Sequence, residues 1–295
     1  MADPEIIAIR EQIAARTGAT DIAQRRIDSD ARGKSFRLPA DVRVEKIDAG
    51  GVPAEWTSTP DSAADRVILY LHGGGYVFGS LDSHRHVAAE AGRQAGTRVL
   101  AIDYRLAPEH PFPAPVEDSV AAYRFLLGRG IRPGNVALAG DSAGGGLVVA
   151  AMLAIRDAGL TLPACGWCIS PWVDMEARSA SFTDRAETDP TVQKAGILDL
   201  AALYLNGADP RHPHAAPVYG DLRGLPPLFI QVGAVETLLD DALWLAREAG
   251  KADVPVDLQV WPEMIHVWHQ YHQVLGAGRR ALEAGGTFIK NHLEG

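Results

Sequence analysis

Five short runs of this chain are apolar along almost their whole length: RVILYL (66–71), RVLAID (98–103), NVALAG (135–140), ACGWCIS (164–170) and PLFIQVG (227–233). A strand with one wet face alternates apolar and polar residues, so runs apolar on both faces must be covered on both sides. Helical segments over 115–127, 143–158 and 237–249 follow several of them. A crossover through a helix returns the chain in its original direction, which makes the strands parallel. Before these runs, VRVEKI and VPAEWT alternate and are separated by Asp48-Ala49-Gly50-Gly51, the pattern of a hairpin. VPVDLQV (254–260) alternates strictly and reads as one more strand. The expected fold is one α/β domain, a mostly parallel central sheet with an antiparallel start and helices on both faces.

Two segments stand outside this rhythm. Ile6, Ile9 and Ile13 have helical spacing, so the chain opens on an amphipathic helix. Residues 175–215 are too long for a simple connection and too helical in places for a plain loop, and they read as a lid, together with the first helix. A chain of 295 residues can bury one large core. Its net charge of -9, with no basic stretch, argues against binding a phosphate backbone. The start, MADPEIIAIREQ, carries acids where a secretory signal carries bases. The longest apolar run, Ala143 to Ile155, closes on Arg156 and is too short to span a bilayer. The expectation is a cytoplasmic enzyme with no membrane insertion.

The stretch YLHGGGYVFG places Gly73, Gly74 and Gly75 directly after a strand. A phosphate cradle is one use for such a loop. Gly74 and Gly79 have P-loop spacing, but Ser80 stands where the lysine belongs, and Phe78 breaks G-x-G-x-x-G. The other use is to bring bare N–H groups up to a developing negative charge, which needs a nucleophile elsewhere. NVALAGDSAGGGLVVAAM supplies it as Gly140-Asp141-Ser142-Ala143-Gly144, between a strand and a helical run. G-x-S-x-G alone is weak, but in a strand–turn–helix context it exposes the serine above the sheet. The amides of Ala143 and of the glycine loop would then form an oxyanion hole. The bland alternative is a glycine-rich turn with no role.

A serine nucleophile needs a base, with an acid to orient it. His266, shortly after the last strand, is best placed. His84, His86, His110, His212 and His214 fall in loop or lid regions and read as surface histidines. His269 and His272 extend His266 into H-x-x-H-x-x-H, but three such positions spread around a helix and no H-E-x-x-H occurs, so a zinc site is not expected. For the acid, Glu236, Asp240 and Asp241 follow the strand 227–233. Thr237 and Asp240 resemble a capping box opening the next helix, which leaves Glu236 as the choice and Asp240 as the alternative. Cys165 and Cys168 form C-G-W-C. A dithiol redox pair would need a helix start, and here the two read as buried strand residues on opposite faces.

Taken in order, HGGGY, DYRLAPEHPFPAP (103–115), GDSAGG, SPWVD (170–174) and the His266 region resemble the hormone-sensitive lipase family of α/β-hydrolases. The resemblance runs from about residue 40 to the C-terminus. It implies a serine esterase of short- to medium-chain monoesters, with 41–174 and 216–295 as the catalytic domain and 1–40 and 175–215 as a cap. Carried across by motif, Ser142 is the nucleophile, His266 the base, and Gly74, Gly75 and Ala143 the oxyanion donors, with His72 structural. The family most often has Asp where this chain has Glu236. No metal or organic cofactor is called for, the partner is a small-molecule ester, and a homodimer is allowed for. An amidase or peptidase with the same triad, or a non-enzymatic receptor on the same scaffold, are the competing functions.

Overall fold

The computed structural model describes residues 4–15 and 21–294. Residues 1–3 and 16–20 of the expected N-terminal segment lie outside them. Two helices come first, α1 (Pro4–Ala14) and α2 (Ile22–Ser35). The strands β1 (Arg43–Asp48) and β2 (Pro53–Ser58) form the expected hairpin, and Asp48 Oδ1 accepts the Gly51 amide at 2.7 Å to close its turn. Then strands and helices alternate: β3 (Ala63–Leu71), α3 (Leu81–Ala95), β4 (Thr97–Ile102), α4 (Ala114–Gly128), β5 (Val136–Asp141), α5 (Ala143–Asp157) and β6 (Cys165–Ile169). An inserted stretch carries α6 (Ser181–Asp184) and α7 (Lys194–Leu205). The chain ends with β7 (Leu228–Gly233), α8 (Leu239–Lys251), β8 (Val256–Trp261) and α9 (Gly276–His292).

All these strands join one sheet in the order β1-β2-β4-β3-β5-β6-β7-β8. β2 meets β4 antiparallel, and from β4 to β8 every pairing is parallel. The side-chain alternation of β3 shows why its run had to be apolar throughout. Val67, Leu69 and Leu71 enter the core shared with α4, α5 and α8, whereas Ile68 and Tyr70 enter the core shared with α3 and α9. Each such buried aliphatic side chain contributes about 1.5–3 kcal/mol. Cys165 and Cys168 obey the same alternation, one in each core, both fully buried. Burial pushes the Cys165 thiol up to about 12 and the Cys168 thiol higher still.

The apolar face of α1 buries Ile6, Ile9 and Ile13 against Met264, Ile265, Trp268 and Leu275, the loop that follows β8. α2 is fastened by Arg26, whose guanidinium donates to the carbonyls of Val77 and Ala107 and pairs with Glu109. Both helices therefore brace loops at the C-terminal edge of the sheet, the edge where an open α/β sheet holds its functional residues. Among the described residues, no helix is long and apolar enough to cross a membrane.

Candidate active site

Ser142 sits between the end of β5 and the first residue of α5 with φ 56° and ψ −121°. That conformation costs a non-glycine residue about 1–3 kcal/mol and persists only where its surroundings enforce it. Here the enforcement is crowding: a Cβ on Gly144 would lie 2.0 Å from the Leu71 carbonyl oxygen, and one on Gly140 would lie 2.5 Å from that of Gly144. The turn can close only with glycine on both sides, and it leaves the serine hydroxyl projecting from the sheet edge.

His266 comes from the loop after β8, and its Nε2 lies 2.9 Å from Ser142 Oγ. Its Nδ1 lies 2.8 Å from Glu236 Oε2, on the loop between β7 and α8. Glu236 has no solvent exposure, and its other oxygen accepts the Ser170 hydroxyl at 2.7 Å and the Gly233 amide at 2.6 Å. Burial works to lower the affinity of His266 for a proton, but the hydrogen bond and negative charge of Glu236 outweigh it and hold the imidazole above its ordinary range. The structure thus brings Ser142, His266 and Glu236 into one line.

The alternative acid is engaged elsewhere. Asp240 Oδ2 accepts the Ser181 amide at 2.9 Å, in the inserted stretch. The expected capping box is not formed: α8 begins at Leu239 without a side-chain cap, and Thr237 turns its amide and hydroxyl toward Asp189 instead. Tertiary contact with the insertion outcompetes the local cap. Asp241 is fully buried and accepts the amides of Val173 and Asp174 and the hydroxyl of Ser179. Burial, against the pull of those donors, pushes its carboxyl up to about 7.

The glycine loop lies beside this line. Gly74 and Gly75 have φ 122° and 61°. Among the described residues, no protein acceptor takes the amides of Gly74, Gly75 or Ala143, so three donors are left for a ligand. A Cβ on Gly74 would lie 2.0 Å from the Phe78 carbonyl oxygen, and one on Gly75 would lie 2.5 Å from the Leu200 methyl of α7. The insertion therefore packs directly on the loop, and Tyr204 of α7 stacks on Tyr76 with centroids 3.8 Å apart. His72 faces inward, stacked on Tyr104 and bonded to the Gly73 carbonyl, and burial lowers it to about 3.

Two histidines expected at the surface are buried. His84 and His86 lie on α3, the first against Asp141 at 3.2 Å and the second against the Gln270 carbonyl at 3.1 Å. The sequence masks α3 because its apolar face is built from alanines, among which polar residues look exposed. His110 and His212 are exposed, and His214 pairs with Asp157. His269 is bonded to Gln231 and His272 stacks on His86, so neither joins His266 at a common point. Two residues that tie these loops together have partners that the sequence does not show. Ser170, at φ 45°, donates to Glu236 and accepts the Val267 amide at 3.2 Å, joining the loop of Glu236 to the loop of His266. Its signal is its place at the head of SPWVD, just past the end of β6. Asp141 is the other, within the elbow motif but with its partners hidden.

The family model for the α/β hydrolase fold matches residues 68–270. An acetyl-hydrolase of Streptomyces hygroscopicus is 50% identical over 292 residues, which cover 98% of this chain and 97% of that one. The crystal structure of an esterase from the bacterial hormone-sensitive lipase family is 49% identical and superposes with a TM-score of 0.97, covering 100% of both chains. The structure of EstE5 soaked by p-nitrophenyl butyrate is 44% identical, with a TM-score of 0.96 over 99% of each chain.

Proposed function

The chain belongs to the hormone-sensitive lipase family of α/β-hydrolases and is a carboxylic ester hydrolase, and we propose that it cleaves short- to medium-chain monoesters through an acyl-enzyme on Ser142. The observation that carries this reading is the 2.9 Å contact between His266 Nε2 and the hydroxyl of a serine held at φ 56°. Ser142 Oγ attacks the ester carbonyl while His266 takes its proton. Negative charge developing on the carbonyl oxygen meets the free amides of Gly74, Gly75 and Ala143, preorganised donors of the kind that give large transition-state stabilisation. Glu236 holds the imidazole in the tautomer that presents Nε2 to the serine and stabilises the imidazolium that forms. His266 then protonates the leaving alcohol, and water, deprotonated by the same imidazole, releases the acid. Every step uses groups of this chain, the ester and water.

The cap is assigned to residues 1–40 and 175–215, and the catalytic body to 41–174 and 216–295. Support comes from α1 braced on the loop of His266, and from Leu200 and Tyr204 of α7 packed on the glycine loop. A pocket roofed in this way has a bounded length. p-Nitrophenyl esters of graded acyl length, with the matching anilide as control, test the reading. The expected outcome is a kcat/KM maximum at about four to eight carbons with little anilide cleavage. A preference for emulsified long-chain triglycerides would contradict the bounded pocket, and equal anilide cleavage would favour the amidase alternative.

A further inference from the structure

Asp189 lies in the insertion between α6 and α7 and is 2% exposed. One of its oxygens closes its own loop, accepting the amides of Thr191 and Val192 at 2.8 and 3.1 Å and the Thr191 hydroxyl at 2.7 Å. The other reaches across to α8's approach, where it accepts the Thr237 amide at 2.8 Å and lies 3.2 Å from the Thr237 hydroxyl. Thr237 follows Glu236 directly. Among the described residues no cationic side chain pairs with Asp189. Donors on both oxygens satisfy this buried carboxylate, and a cation forming nearby gains from its negative charge.

The candidate for that gain is His266. Glu236 bonds its imidazole directly, Asp189 is tied to the next residue, Thr237, and Asp141 adjoins Ser142, and the negative charge of all three favours the protonated ring. His269, on the next turn, is kept neutral by burial, which lowers it to about 3. We infer that Asp189 is a positioning residue of the insertion, fixing the Glu236–Thr237 turn and adding a second negative charge behind the imidazolium that forms during ester cleavage. This rests on the triad reading above. It gives the insertion a part in the reaction's electrostatics as well as in roofing the pocket.

The sign of the effect is set by charge. Negative potential at His266 favours its protonated form, so removing it lowers the pH at which the imidazole loses its proton. The acidic limb of the pH profile of kcat/KM reports that group in the free enzyme. Asp189→Asn should move this limb to lower pH by about half a unit. It should also lower kcat by roughly tenfold, with KM within about threefold, because an amide donor then faces the Thr237 N–H. Asp189→Ser, whose hydroxyl can still cap the loop, provides the same reading if the Asn variant does not fold. Thr237→Val keeps the charge and should leave the limb in place. An unmoved limb in the neutral variants, or an equal shift in Thr237→Val, overturns the inference. An unmoved limb beside an inactive Ser142→Ala enzyme removes only the role of Asp189, whereas an active Ser142→Ala enzyme removes the triad itself.

Discussion

Asp141 Oδ1 accepts the Gly73 amide at 3.2 Å, tying the turn that carries Ser142 to the loop that carries Gly74 and Gly75. The same carboxylate accepts the Tyr70 hydroxyl at 2.8 Å and faces His84 Nε2 at 3.2 Å. Ser142 and the amides of Gly74 and Gly75 come from segments far apart in the chain, and this one buried side chain links them.

Asp141→Ala would strand two buried donors, the Gly73 amide and the Tyr70 hydroxyl. Each unsatisfied group costs about 1–3 kcal/mol, so the variant should lose about 2–6 kcal/mol in urea unfolding. Its kcat should also fall by roughly tenfold or more at a temperature where it is fully folded, because the donors drift relative to Ser142. An unchanged denaturation midpoint with full kcat would show that the link does not matter.

Glu236 and Asp240 lie four residues apart and should fail in different ways. Glu236→Gln leaves the imidazole without its anion and should cut kcat by roughly 10²-fold or more, with a small change in Tm. Asp240→Asn weakens the tie to the Ser181 amide, costs about 1 kcal/mol, and should leave kcat within about tenfold. Kinetics and thermal melts on both variants make the comparison, and a reversed pattern would make Asp240 the acid.

Leu200 packs on Gly75, so its bulk limits what can lie above the glycine loop. Leu200→Ala should raise kcat/KM for a ten-carbon acyl ester by about tenfold relative to the acetyl ester, the range that a few methylenes in an apolar pocket can supply. The ratio of the two substrates in one preparation is the measurement. A ratio equal to that of the unaltered enzyme would move the size limit to another side chain.

Much of this arrangement is legible in the sequence because it rests on local pattern. The run RVILYL can be buried on both faces only within a covered sheet, and GDSAG can turn so tightly only with its glycines. The helices α3 and α9 are harder to see. α9 contains Gly276, Gly278, Gly285 and Gly286, residues that weaken a helix in isolation. Here they permit close packing: a Cβ on Gly285 would lie 2.1 Å from the Trp167 ring, and one on Gly286 would lie 2.5 Å from Gln94. The same limit applies to side-chain partners. Thr237 and Asp240 have capping-box spacing, yet Asp189, from 48 positions away, takes the Thr237 amide. Ser170 reaches Glu236 across 66 positions. No spacing rule encodes such contacts, because packing of the insertion against the sheet edge creates them.

The central claim is that Ser142 is the nucleophile, and hydrolysis of p-nitrophenyl butyrate by purified Ser142→Ala tests it most directly. The variant removes one oxygen from a half-buried turn and keeps its backbone, so its Tm should match that of the unaltered protein within a few degrees. Its kcat should fall by about 10⁴- to 10⁶-fold, since members of a triad act as a unit. A folded Ser142→Ala protein that keeps most of its activity would contradict the account.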